Sequence, residues 1–195
     1  KDIFQLKKLV DDIKKFFKDK KYPILIDQEG GKVSRLNKII DLSTFSQNYF
    51  GEFYTRDKKV FAEHYKIHIN TICDILKTVG ININTVPVLD VKRKKAHNII
   101  GNRSFSENSS IVSILGKLCI NFYNKNKIAT VMKHIPGLGL SKCDSHFRTP
   151  KINTIKKELL KKDFAPFKSC NSLFAMTGHA IYSKYDSQNT ATHSK

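Results

Sequence analysis

Apolar residues recur at two different spacings along this chain. Through residues 3–18, Ile3, Leu6, Leu9, Val10, Ile13, Phe16 and Phe17 fall three and four apart, which predicts an amphipathic helix. Tyr22-Pro23-Ile24-Leu25-Ile26 is then a short apolar run ending at Asp27, the pattern of a strand buried on both faces. The helical period returns over 58–79 and stops at Gly80, a suitable C-cap. Ile81-Asn82-Ile83-Asn84-Thr85-Val86 predicts the next strand, 108–124 a helix opened by Ser or Asn, and Ile128-Ala129-Thr130-Val131-Met132 a third strand. A helix over 153–163 and a strand over Ser172–Thr177 complete the series. Helices alternating with short apolar strands predict a parallel α/β sheet, open and doubly wound or part of a barrel.

The polar residues cluster where the strands end. The first strand runs into Asp27-Gln28-Glu29-Gly30-Gly31-Lys32-Val33-Ser34-Arg35, and the second into Pro87-Val88-Leu89-Asp90 and a loop holding Gly101-Asn102-Arg103-Ser104-Phe105. The third ends Lys133-His134-Ile135-Pro136-Gly137, the fourth Thr177-Gly178-His179. Parallel α/β folds gather their chemistry at strand C-termini. Any one cluster has a plain structural reading: Asp27 capping a helix, His179 sitting satisfied in a core. Four at successive strand ends point to a site. Gly30-Gly31 lets a ligand or backbone approach closely, yet lacks the spacing of a phosphate-binding loop. Pro136-Gly137-Leu138-Gly139 predicts a mobile or sharply turned loop. It is followed by Asp144-Ser145-His146, in which a carboxylate can sit on one imidazole nitrogen and raise the basicity of the other. No nucleophile elbow surrounds Ser145.

Composition narrows the class. The chain has 195 residues and a formal net charge of +18, from 35 Lys+Arg and 17 Asp+Glu. That charge invites a nucleic-acid reading, but the lysines are scattered in pairs along helical segments. The one dense run, Lys92-Arg93-Lys94-Lys95, comes with no nucleic-acid-binding signature. A solvated lysine-rich surface is the favoured reading, with no nucleic-acid partner. No apolar run approaches the ~18–20 residues of a membrane span, and no signal-peptide pattern follows Lys1. Cys73, Cys119, Cys143 and Cys170 are too far apart in sequence for a zinc knuckle or redox motif and read as reduced thiols. No metal or cofactor is expected, and the localisation expected is cytoplasmic.

Taken in order, Ile26–Leu36, Gly101–Phe105, Lys133–Gly139, Asp144-Ser145-His146 with Pro150, and Met176-Thr177-Gly178-His179-Ala180-Ile181-Tyr182 resemble the bacterial β-N-acetylhexosaminidases of glycoside hydrolase family three. The resemblance spans nearly the whole chain as one domain over residues 1–195. It implies a (β/α)8 TIM-like barrel that removes terminal N-acetylglucosamine from peptidoglycan fragments in cell-wall recycling, with retention of configuration. By position, Asp27 would accept sugar hydroxyls, while Arg35, Arg103, Lys133 and His134 line the same pocket. His146 would be the general acid/base, oriented by Asp144, in place of the carboxylic acid of the two-carboxylate scheme. Leu138 stands where family members carry a second His.

The nucleophile of this family is an Asp in a Ser-Asp-Asp-type motif on a later strand, and no such motif precedes Lys195. A strand is also expected before Ile3. A complete barrel takes ~250 residues, so the resemblance implies a barrel incomplete in this chain, lacking its first strand and its last strands. These residues alone would bind a glycan or muropeptide without completing the reaction, and a second chain is the partner that could close the barrel. A catalytically dead sugar-binding remnant is the alternative, and a basic nucleic-acid-binding protein a more distant one.

Overall fold

The computed structural model describes residues 2–94, 96–144 and 147–195. Helix α1 (Ile3–Phe16) is opened by Asp2, whose carboxylate accepts the Gln5 N–H at 2.9 Å. It is followed by strand β1 (Leu25–Ile26), helices α2 (Gln47–Arg56) and α3 (Lys58–Val79), and strand β2 (Ile83–Asn84). Next come a 3-10 turn (Gly101–Arg103), helix α4 (Ser109–Lys125) and strand β3 (Ala129–Ile135). After β3 lie β4 (Lys151–Ile152), a helical turn α5 (Lys156–Glu158), α6 (Ala165–Ser169), β5 (Phe174–Thr177) and β6 (Ile181–Tyr182).

β1, β2, β3 and β5 form a sheet in that order, each parallel to the next, with Leu25 opposite Ile83, Ile83 opposite Ala129 and Val131 opposite Phe174. A doubly wound sheet reverses its strand order part-way along; this one does not, so it is built like a barrel wall. Beyond its two formal residues, β2 stays alongside β3: the Lys133 N–H donates to Pro87 O and the Leu89 N–H to Lys133 O. This carries Asp90 forward to the level of His134. At the far side of the sheet, all four residues of β5 are exposed.

The predicted alternation holds, with local differences. β1, β2 and β5 are shorter than their apolar runs, although the Ile24 carbonyl just before β1 still accepts the Ile83 N–H at 3.1 Å, whereas β3 runs past its apolar stretch to Ile135. Helix α2 was not anticipated: Gln-Asn-Tyr-Phe-Gly-Glu-Phe-Tyr is too polar and too glycine-interrupted to show a clean period. The helix expected over 153–163 is one turn leading into a wide turn, Leu159–Asp163, in which the Phe164 N–H reaches back five residues to Leu159 O. β4 and β6 pair in a small separate parallel sheet.

The main core lies between the sheet and α3 and α4, with Leu76, Val79, Leu89, Val112 and Leu115 fully buried. A second cluster of Ile100, Leu138, Ile152, Leu159, Ala180 and Tyr182 lies under the turn after β3. The expected loop there is the sharply turned kind, fixed by Leu138 taking a core position.

At the edge of the main core, half-buried His68 is a titratable group with a pH signature. His68 of α3 packs against the rings of Phe45, Phe50 and Tyr65, and burial lowers its pKa from 6.5 to about 4. The unfolded chain therefore binds a proton that the folded chain refuses between these two values. Stability from this residue is complete above pH 6.5 and is lost as pH falls toward 4, by up to about 1.4 kcal/mol per pH unit. Urea midpoints compared at pH 7 and pH 5 should show this drop in the wild type and a smaller one in His68→Phe. Equal drops would refute it.

Candidate active site at the strand ends

Three buried amide side chains set the backbone around the site. Asn84, at the end of β2, accepts the Gln28 N–H at 3.0 Å and donates to Gln28 O at 2.9 Å. Gln28 in turn uses its Oε1 to accept the N–H groups of Arg35 and Leu36, at 2.9 and 3.0 Å. This folds the segment after β1 back on itself. The turn passes through Gly30 at φ 88°, where a Cβ would strike the Phe45 carbonyl. Gln47 of α2 donates to the carbonyls of Val88 and Arg103, both at 2.8 Å, tying the loop of Arg103 to the end of β2.

On this frame the charged side chains form one connected chain. Lys133 is only 2% exposed, and its Nζ lies 2.6 Å from Glu29 Oε1 and 2.9 Å from both Asp27 Oδ1 and Thr85 Oγ1. Thr85 also donates to Asp27. Glu29 receives Arg103 through two bonds, Nε to Oε2 at 2.8 Å and Nη2 to Oε1 at 2.9 Å. Arg103 Nη2 reaches His134 Nε2 at 3.5 Å, and His134 Nδ1 lies 2.6 Å from Asp90 Oδ2. The Lys133–His134 peptide is cis. Residues from three strand ends and one loop, up to 106 positions apart in sequence, thus meet in one cluster.

Electrostatics follow from this packing. Burial opposes the charged form of Asp27, but the Thr85 hydroxyl and the Lys133 ammonium outweigh it, with Arg35 adding at longer range, and hold the carboxyl below its usual value. Glu29 is likewise penalised by burial and still held low by its bonds to Arg103 and the charge of Lys133. Arg103, despite its burial, is raised by Glu29. Glu29 and Lys133 are covered, whereas Asp27 keeps 38% of its side chain in solvent. The outward face is thus an ionised carboxylate beside guanidinium donors and an imidazole edge, a surface fitted to a ligand rich in hydroxyls.

Of the residues singled out from sequence, Asp27, Arg103, Lys133 and His134 converge. Arg35 is exposed and lines an apolar groove of about 680 Å³ with Leu6, Leu9 and Ile39, from where its charge still reaches Asp27. Asp144 lies within electrostatic reach of Lys32, which also feels Arg103 and Glu29. His146 and Ser145 lie outside the described residues. His179, from the fourth cluster, is exposed and pairs with Thr192 at 2.8 Å. Glu29 and Asp90 complete the cluster, and neither is assigned a role by the sequence. The available signal was a carboxylate inside an apolar run, Val88-Leu89-Asp90-Val91, which a fold tolerates only with partners.

Residues 1–195 match the glycosyl hydrolase family 3 N terminal domain. This chain belongs to that family. The family 3 relatives include beta-hexosaminidase A of Pseudoalteromonas piscicida, 30% identical over 84% of this chain and 27% of that protein. The beta-hexosaminidase of Neisseria meningitidis serogroup A is 30% identical over 96% of this chain and 52% of that protein. Among solved structures, NagZ from Neisseria gonorrhoeae superposes with a TM-score of 0.86 at 27% identity, covering 97% of this chain and 55% of that one. The same protein was solved in complex with N-trifluoroacetyl-D-glucosamine. This family 3 chain spans between about a quarter and about half the length of these relatives. Its fold is the TIM-barrel-like α/β fold, incomplete here, with four strands of the wall among the described residues.

Proposed function

We propose that this family 3 domain carries the sugar-binding part of a β-N-acetylhexosaminidase. Its reaction is the removal of terminal N-acetylglucosamine from peptidoglycan fragments with retention of configuration, in cytoplasmic cell-wall recycling. The observation that carries this reading is the meeting of Asp27, Arg103, Lys133 and His134 in one hydrogen-bonded cluster at the strand ends. The relatives' names and the glucosamine derivative bound to the gonococcal protein support it.

In this reading Asp27 accepts sugar hydroxyls, as its ionised and half-open state suits, and Arg103 and His134 orient the ring, with Arg35 at the rim. Lys133 holds Asp27 in place and keeps it charged. His146 gives a proton to the leaving oxygen and later takes one from water, with Asp144 orienting it. The nucleophilic carboxylate and the strands that close the wall are contributed by residues other than these, from a longer chain or from a second one. Binding is therefore the property to test first.

Calorimetric titration with N-acetylglucosamine should give saturable one-site binding. Asp27→Ala should weaken it about 10- to 100-fold, the usual loss for a hydrogen bond to a charged group, with an unchanged circular dichroism spectrum. Equal affinity in the two proteins would overturn the assignment. Hydrolysis of a chromogenic β-N-acetylglucosaminide, compared with His146→Ala in the closed barrel, tests the proton donor.

A further inference from the structure

Asp90 is fully buried and uses both of its oxygens. Oδ2 lies 2.6 Å from His134 Nδ1. Oδ1 accepts the Leu138 N–H at 2.5 Å, and the His134 N–H approaches it at 3.5 Å. The two main partners belong to different parts of the molecule: a ring in the proposed sugar pocket, and the turn that leads toward Asp144. We propose that Asp90 is a positioning residue that fixes which nitrogen of His134 carries the proton and, with the same carboxylate, pins the turn at Leu138. The proposal deepens the sugar-site reading and rests on it only for the ligand.

The tautomer follows from the neighbours on both sides of the ring. A carboxylate accepts and does not donate, so it calls for hydrogen on Nδ1. On the opposite edge, Nε2 faces Arg103 Nη2, a group that only donates, at 3.5 Å. Asp90 draws hydrogen to Nδ1 and the Arg103 cation opposes a second proton on Nε2, which leaves Nδ1–H and a bare Nε2. The single lone pair of Nε2 is met by Arg103 only at 3.5 Å, so a sugar hydroxyl can donate to the imidazole by taking the place of that long contact.

The turn is held by the same logic. Leu138 is 3% exposed within the second hydrophobic cluster, and the Tyr182 hydroxyl donates to Gly137 O at 2.6 Å. The Leu138 N–H would be a buried orphan without Asp90. An asparagine at position 90 cannot serve both partners, because it has one acceptor oxygen and one NH2 group. If the oxygen faces Leu138, the NH2 faces His134 and the ring must move its proton to Nε2, against Arg103. If the oxygen faces His134, the NH2 meets the Leu138 N–H and the turn loses its anchor.

Long-range proton–nitrogen NMR of the ligand-free chain at pH 8, with His134 assigned by His134→Gln, reads the tautomer directly. Hydrogen exchange reads the Leu138 amide. The wild type should show Nδ1–H with unprotonated Nε2 and a slowly exchanging Leu138 amide. Asp90→Asn should move the ring proton to Nε2 or speed Leu138 exchange more than tenfold. A wild-type ring with the proton on Nε2 or on both nitrogens would overturn the proposal, as would a variant in which both readouts are unchanged. The wild-type measurement decides even if the variant fails to fold. Neither readout needs a sugar, so the expected tautomer together with no N-acetylglucosamine binding would refute the ligand reading and leave the role of Asp90 standing.

Discussion

Replacing Glu29 with glutamine is expected to destabilise the folded chain by about 3–5 kcal/mol, the range seen when one member of a buried ion pair is removed. Glu29 is 6% exposed and satisfies two cations at once: Lys133 at 2.6 Å, and Arg103 through paired bonds at 2.8 and 2.9 Å. Glutamine keeps one acceptor oxygen and turns an NH2 toward a cation that cannot accept from it. Lys133 would retain Asp27, but Arg103 would be left with a neutral partner in a covered site. Urea unfolding should show a lower midpoint with an unchanged slope. A midpoint shift worth less than ~1 kcal/mol would mean that water reaches this cluster and screens it.

The same residue has a pH signature of known sign. Its folded pKa is depressed below the ordinary 4.5, so its contribution is present above that value and is lost as pH falls through the folded one. The wild type should therefore lose stability more steeply below pH 4.5 than Glu29→Gln does. The His68 effect runs from pH 6.5 to about 4, so between pH 6.5 and 4.5 it is read without the Glu29 contribution.

Gly51→Ala is the second large effect, at about 3 kcal/mol, the upper end of what overpacking costs. A Cβ at this position of α2 would overlap the carbonyl oxygen of Phe105, and a backbone atom cannot swing aside as the tip of a side chain can. The helix would have to back away from the loop it is holding. Because Gln47, one turn earlier on the same helix, bonds Arg103 O, the displacement should also loosen Arg103. The variant is expected to unfold at lower urea and to bind N-acetylglucosamine several-fold more weakly even where it is fully folded. Retention of wild-type stability would show that α2 can shift without consequence.

How much of this was legible in the sequence differs from residue to residue. The long helix α3 declared itself through Phe61, Ile72, Leu76 and Val79, which all face the core, although Val60 and Ile67 of the same apolar pattern are exposed. The strands were visible as apolar runs, but their ladders are set by neighbours, which a single run does not contain. The polar clusters after the apolar strands marked a site, and the family resemblance singled out Asp27, Arg103, Lys133 and His134 within them. Glu29 and Asp90 received no role because their work is done facing inward, and the cations and N–H groups they satisfy are remote in sequence. α2 was missed because its packing depends on aromatic contacts and on Gly51, which locally argues against a helix.

The sequential order of the sheet sets a timetable. Each strand is laid beside the one made before it, so a nascent chain can extend the wall in the direction of synthesis without waiting for a later strand to be inserted. The Asp27 carboxylate is made early, and the ammonium that neutralises it arrives 106 residues later. During that interval the first strand end carries Asp27 and Glu29 with no Lys133, repelling one another and free to pair with passing cations. The proposed sugar pocket therefore cannot close until β3 is made, and a chain halted before it would have β1 and β2 without the charge balance that holds their rim together.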